Sequence, residues 1–153
     1  MTGILRIVEL EDASALPILE GLRLEYDRRY GASGGELSAH ADADFGPPDG
    51  VFLVVEERGR TVAGGGLRRW DADTAEIKRM WTAPAHRRRG HARAVLRALE
   101  RSARKRGYAS VRLQSGTEQP EALALYEQEG FARIAAYGPY RDDPRCVCLE
   151  KRL

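Results

Sequence analysis

Pro84-Ala85-His86-Arg87-Arg88-Arg89-Gly90-His91-Ala92 is a short basic turn between two segments of different periodicity. Upstream, Ala75-Glu76-Ile77-Lys78-Arg79-Met80-Trp81-Thr82 is rich in strand formers. Downstream, Ala92, Val95, Leu96, Leu99 and Ala103 recur at helical spacing. The stretch therefore predicts a strand, a tight turn and an amphipathic helix of about five turns. The first N–H groups of a helix lack an internal partner, and the helix dipole favours an anion there. Gly90 and Ala92 keep the backbone unencumbered, so a diphosphate can come close to the amides. Three arginines at a helix start are unfavourable without such an anion.

Other phosphate motifs are excluded. The chain has no G-x-x-x-x-G-K-[ST], which argues against a P-loop nucleotidase. It also lacks a G-x-G-x-x-G opening a long βαβ series, which argues against a dinucleotide fold. At 153 residues the chain suits a single domain spanning 1–153, with one substantial core. Hydrophobic residues at 42% and charged residues at 31% describe an ordered soluble protein rather than a disordered one. Net charge is only +2, yet nine of the twenty residues from Arg87 to Arg106 are Arg or Lys. That concentration points to a local anionic ligand rather than a long nucleic-acid track. The N-terminus is too charged for a signal peptide or a membrane span, so a cytoplasmic location without a membrane partner is expected. Cys146 and Cys148 lie two apart in a predicted strand, where they share a face but do not normally reach each other as a disulfide. They are expected to be reduced, structural thiols. A metal site would need more ligands nearby, and none is expected.

Along the chain, Ile4 to Leu10 reads as a strand and Asp12 to Tyr30 as a helix with Pro17 in its first turns. Gly31 to Gly50 reads as loop or short irregular helix. Val51 to Glu56 is an apolar strand, Arg58-Gly59-Arg60 a hairpin turn, and Thr61 to Trp70 the returning strand. Gly64-Gly65-Gly66 within that strand points to a bulge or a close backbone approach. Tyr108 to Gln114 is a further strand and Pro120 to Gln128 a helix. Phe131 to Tyr137 and Arg145 to Lys151 finish as a strand pair. The helix between the strands ending at Thr82 and starting near Tyr108 implies a crossover and parallel pairing there. Tight turns make the earlier strands antiparallel. The fold class is α/β (α+β), a mixed central β-sheet with helices on both faces.

The pattern Arg-x-x-Gly-x-Ala (Arg87, Gly90, Ala92) is weak alone, but its context is specific. Pro84 precedes it, and Ala122-Leu123-Ala124-Leu125-Tyr126-Glu127 with Gly130-Phe131 follows. Together these resemble the GCN5-related N-acetyltransferase superfamily, the GNAT fold, over about Glu76 to Phe131. The resemblance implies that the strands on either side of the crossover helix splay apart to admit the pantetheine arm of acetyl-CoA, the cosubstrate. It implies that the turn residues Arg87, Arg88, Arg89, Gly90, His91 and Ala92 hold the coenzyme A diphosphate, chiefly through backbone amides. Arg89 or Arg93 would add charge. The backbone of Met80 and Thr82 would pair with the pantetheine amides. Gln119 stands where the family often has Asn.

Acetyl transfer needs a neutral amine to attack a thioester carbonyl. A proton must leave the amine, directly or through water. The carbonyl oxygen gains charge and needs a donor, commonly a backbone N–H. The leaving thiolate benefits from a proton. Tyr126 resembles the family's general acid, and its phenol is protonated at neutral pH, with a reference pKa of about 10. Plain packing is the alternative, since Ala122, Leu125 and Tyr126 share one helical face. Glu76 resembles the base of the histone-acetylating branch; alternatively, it pairs with Lys78 on the same strand face. His40 borders the expected acceptor loop, where a lone histidine is usually surface. His86 and His91 suit hydrogen bonding rather than catalysis.

The resemblance places the acceptor pocket among the first helix, the loop after it and the last strand pair, which supply Tyr26, Arg29, Tyr30, Tyr137, Tyr140 and Arg141. Such a mixture suits a carboxylate-bearing amine, or a solvated surface. The expected function is an acetyl-CoA-dependent N-acetyltransferase acting on a primary amine of a small molecule, as monomer or homodimer. The alternatives are a protein lysine or N-terminal acetyltransferase, or a non-catalytic module binding CoA or nucleic acid. No nucleic-acid partner is expected, because the basic run lacks interleaved aromatics for stacking.

Overall fold

A computed structural model describes residues 3–31 and 41–153. Its strands are β1 (Ile4–Ile7), β2 (Val51–Glu57), β3 (Arg60–Arg69), β4 (Thr74–Thr82), β5 (Ser110–Gly116), β6 (Ala132–Arg133) and β7 (Cys146–Arg152). They form one sheet in the order β1-β2-β3-β4-β5-β7-β6. β1 to β4 are antiparallel neighbours; tight turns join β2 to β3 and β3 to β4, whereas β1 reaches β2 only through α1 and the segment after it, not by the tight turn expected. The crossover helix makes β4 and β5 parallel. The helices are α1 (Leu16–Tyr30), α2 (His91–Lys105) and α3 (Pro120–Gln128).

The sheet is buried on both faces, which explains the unbroken apolar run of β2. Val51, Leu53 and Val55 point to one core with Val95, Leu96 and Leu99 of α2 and with Leu123 and Tyr126 of α3. Phe52 and Val54 point the other way, onto Ile18 and Leu22 of α1 and onto Phe45. Each fully buried side chain of this size stabilises the fold by about 1.5–3 kcal/mol. α1 begins later than the sequence indicates. Asp12 caps a 3-10 turn at Ala13–Ala15, accepting from Ser14 N–H at 2.9 Å, and the α-helix proper starts at Leu16.

Three irregularities shape the site. β3 and β4 shift register between Gly64 and Gly66, the bulge expected at the glycine triplet, and opposite it Arg79 adopts φ +61°. β1 ends at Ile7, three residues early, because Val8 and Leu10 turn inward onto the α1 core. β6 is only two residues long, where sequence indicated Phe131 to Tyr137. After Ile134 N–H bonds Cys148 O at 3.0 Å, the chain leaves the sheet edge. Tyr137 then packs edge-on against Trp70, ring centres 4.9 Å apart, with the Arg112 guanidinium 4.5 Å from its own ring. Among the described residues, no helix is long and apolar enough to cross a membrane.

Candidate active site

β4 and β5 pair only from Thr74↔Ser110 to Ile77↔Leu113. β4 then runs on to Thr82 and β5 to Gly116 without pairing each other, so the two strands splay. On its far edge β4 remains tied to β3, and Ala83 N–H bonds Val62 O at 2.8 Å. Backbone groups alternate sides along a strand, so Thr82 and Met80 turn theirs to the open side, facing β5. An extended ligand with amide groups can pair there like a further strand.

The basic turn follows directly. Gly90 caps α2 with φ +83°, and the first helical bond runs from Ala94 N–H to Gly90 O at 3.0 Å. The amides before Ala94 therefore have no helical partner. Nothing lies within 4 Å of where a Cβ on Gly90 would stand, so an anion has room to approach. The side chains behave differently from the amides. Arg87 is ion-paired with Glu25 of α1 and bonds Thr82 O at 3.4 Å, so it braces the turn instead of reaching outward. Arg93 turns sideways to Gln128 at 2.7 Å and Glu129 at 2.8 Å, and Arg97 joins it on Glu129. Of the two residues expected to add charge, Arg93 is thus engaged within the protein. Arg88 and Arg89 remain exposed at the turn, Arg89 lying 3.8 Å from Glu57. His91 is buried and bonds Glu57 through Nε2 at 3.0 Å, and His86 reaches the same carboxylate at 3.4 Å. Hydrogen bonding is the observed role of His91, whereas His86 only approaches the carboxylate.

A cavity of about 300 Å³ opens from the splay toward α1. Lys78, Gln114, Ser115 and Gly116 form its floor, and Tyr26, Tyr30 and Tyr140 its walls. Tyr30 donates to Gln119 Oε1 at 3.2 Å, which fixes the residue that stands in for the family's Asn. Burial and the nearby Glu118 charge raise the Tyr30 phenol above its ordinary pKa. Of the expected acceptor residues, Tyr26, Tyr30 and Tyr140 line the cavity, whereas Arg29 and Tyr137 do not. Arg29 bonds Glu118 O and Glu121, both at 2.6 Å, and ties α1 to the start of α3. Arg141 bonds Gly138 O at 3.1 Å within its own exposed loop. His40 lies outside the described residues.

The cavity's charges come from residues that the sequence reading passed over. Arg145 grips Asp143 through two bonds, at 2.9 and 3.1 Å, and lies over the Tyr30 ring at 4.9 Å. The Arg145 guanidinium holds the Asp143 carboxyl below the ordinary range. Lys78 bonds Gln114 Oε1 at 3.4 Å and lies 5.8 Å from the centre of the Tyr140 ring. Alternation from Glu76 was the available signal for Lys78; nothing comparable marked Arg145.

Glu76 is 1% exposed and does not line the cavity. Arg68 donates to its Oε1 at 2.9 Å and Tyr137 to its Oε2 at 2.8 Å. Its ion-pair partner is Arg68, across β3, rather than Lys78. Tyr126 is 6% exposed, with its ring 5.8 Å from that of Phe131, and burial raises its phenol pKa. Tyr126 is thus packed in the α2 and α3 core and does not line the cavity. Cys146 and Cys148 are free thiols, as expected.

Residues 17–131 match the model of the Acetyltransferase (GNAT) family. The chain is 37% identical over 108 residues to the IAA acetyltransferase of Azospirillum brasilense, an alignment covering 69% of this chain and 70% of that protein. Two solved structures share the fold over nearly the whole chain. An acetyltransferase from Streptococcus agalactiae superposes with a TM-score of 0.78 at 19% identity, covering 100% of this chain and 99% of that one. The PaiA N-acetyltransferase from Thermoplasma acidophilum, in complex with coenzyme A, gives 0.76 at 18% identity, covering 100% of both chains.

Proposed function

This chain belongs to the GNAT acetyltransferase family, and from that premise we propose that it moves an acetyl group from acetyl-CoA to the primary amine of a small molecule. The observation that carries the reading is the continuity between the splayed strands and the cavity beside α1. A donor seated between β4 and β5 would present its reacting end to whatever occupies that cavity. The coenzyme A bound in the Thermoplasma neighbour supports acetyl-CoA as the donor.

Acetyl-CoA supplies an activated acetyl thioester, and the chain's own residues do the rest. The open amides from Arg88 to Ala92 would hold the diphosphate. Met80 and Thr82 would pair with the pantetheine arm, and a backbone N–H of this open edge would steady the developing oxyanion. Gln119 would orient the arm from the α3 side. Tyr126 would return a proton to the leaving sulfur. Both Glu76 oxygens are already bonded, so the amine would lose its proton through water, with Glu76 fixing Tyr137. Arg68 and Tyr137 would have to release Glu76 before it could serve as base.

The size and walls of the cavity favour a compact acceptor over a protein chain. Three tyrosine rings offer an apolar enclosure, and Lys78 and the Arg145–Asp143 pair set polar groups in it for a small polar amine. Calorimetric titration with acetyl-CoA, followed by CoA release across small amines and lysine peptides, tests the proposal. One-to-one binding with turnover of a small amine supports it. Faster turnover of the peptides would move the acceptor to a protein, and no acetyl-CoA binding would overturn the donor.

A further inference from the structure

Cys146 and Cys148 carry chemistry that acetyl transfer does not use. They sit at i and i+2 on β7, on the face opposite Val147 and Leu149, which belong to the α2 core. Their sulfurs are 3.6 Å apart and both are free. Cys146 forms part of the cavity wall, with Gln114 Nε2 at 3.8 Å from its sulfur, and Cys148 lies behind it, 4.0 Å from Tyr137 O.

We propose that these two residues form a chelating dithiol on the wall of the acceptor cavity, a capture site for a trivalent organoarsenical, R–As(III). Two sulfurs 3.6 Å apart are too distant to be bonded to each other. An atom about 2.3 Å from each, an ordinary length for a thiolate bonded to a heavier centre, would subtend an S–X–S angle of about 100°. That angle suits a pyramidal three-coordinate centre without moving either strand residue. The ligand count selects the class. Among the described residues, no cluster of three or more His, Cys, Asp or Glu could hold a metal ion, and a structural zinc site takes four ligands. An organoarsenical brings its own third substituent, so it needs only two thiols.

The capture step is balanced without an oxidant. Two S–H bonds and the As=O bond of R–As=O break, and two As–S bonds form. Both protons leave with the oxygen as water, and arsenic keeps its oxidation state. Burial, followed by the Cys148 neighbour, pushes the Cys146 thiol up to about 12.

Dithiol capture stands on geometry alone; its effect on acetyl transfer rests on the proposed function. The test is intact mass spectrometry of the native protein treated with one equivalent of phenylarsine oxide, beside titration of free thiols. The expected result is one adduct per chain, with free thiols falling from two to none, reversed by a small dithiol but not by excess monothiol. In C146S and in C148S the adduct should not survive gel filtration in monothiol. An adduct that persists in C148S overturns the proposal, as does a native chain that takes none. Should C148S fail to fold, reversal of the native adduct by monothiol overturns it equally. Treated protein should still bind acetyl-CoA and lose amine turnover. Full turnover with the adduct in place would overturn the placement on the acceptor wall. An untreated protein that acetylates no amine but still forms the adduct would count against the proposed function alone.

Discussion

Tyr137 donates its phenol to Glu76 at 2.8 Å from the far side of the sheet's parallel pair. With Arg68 on the other oxygen, Glu76 is a buried anion whose charge is answered on both sides. Removing it would leave Arg68 without its main partner. Glu76→Ala should therefore lower stability by about 3 kcal/mol, the usual cost of breaking a buried pair from one side. Tyr137→Phe should cost about 2 kcal/mol, as for one hydrogen bond to a charged group. Urea melts measure both. Glu76→Gln separates structure from catalysis: an unchanged pH–rate profile on folded protein removes Glu76 as the base. A profile flattened mainly at low pH restores it.

Tyr126 makes a paired prediction. Tyr126→Phe should leave acetyl-CoA binding intact and reduce turnover about a hundredfold, the lower range for a lost general acid. Its phenol pKa is raised by burial above the reference value of about 10. The native state then keeps a proton that the unfolded chain releases, so stability from this group is complete below about pH 10 and is lost as pH rises beyond it. The phenylalanine variant should show a shallower alkaline fall in urea midpoint. A variant with full turnover would reduce Tyr126 to packing.

Gly116 leaves space that Tyr30 occupies. A Cβ there would collide with the Tyr30 hydroxyl, so Gly116→Ala should push that ring into the cavity proposed to hold the acceptor. The acceptor KM should rise about tenfold, equivalent to about 1.4 kcal/mol. Tyr30→Phe removes the colliding oxygen, and the double variant should recover part of the loss. Strict additivity of the two single effects would show that they do not meet through this contact.

The parallel pair, the crossover and the glycine bulge were legible because each follows from local chemistry. A helix between strands forces a crossover, and Gly64-Gly65-Gly66 weakens a strand at one place. The open amides after Gly90 were legible for the same reason, since they depend on the turn alone. The partners of the Arg29, Arg87, Arg93 and Tyr137 side chains were not legible. Their charges and rings suited ligands, but each met a partner distant in sequence: Glu121, Glu25, Glu129 and Glu76. Such pairings depend on how α1, α2 and α3 settle on the sheet, which no local spacing encodes. Arg145 was missed because its significance comes from Tyr30, more than a hundred residues earlier.

The brace between Arg87 and Glu25 separates two ways in which arginine would serve the basic turn if it holds acetyl-CoA as proposed. Arg87 is engaged with α1 and Thr82 O, so it acts by holding the end of β4 against the turn. Arg89 is exposed, with its nearest acid 3.8 Å away, so any help it gives is long-range charge. Charge help fades with salt, whereas a positioned backbone does not. Arg89→Ala should weaken acetyl-CoA binding at low ionic strength and converge on the wild type as salt is added. Arg87→Ala should weaken it by a similar factor at every salt concentration, and Glu25→Gln should reproduce that behaviour from the α1 side. Calorimetric titrations at three salt concentrations distinguish the two. A salt-dependent defect in Arg87→Ala, with none in Glu25→Gln, would mean that Arg87 leaves its brace to contact the phosphate itself.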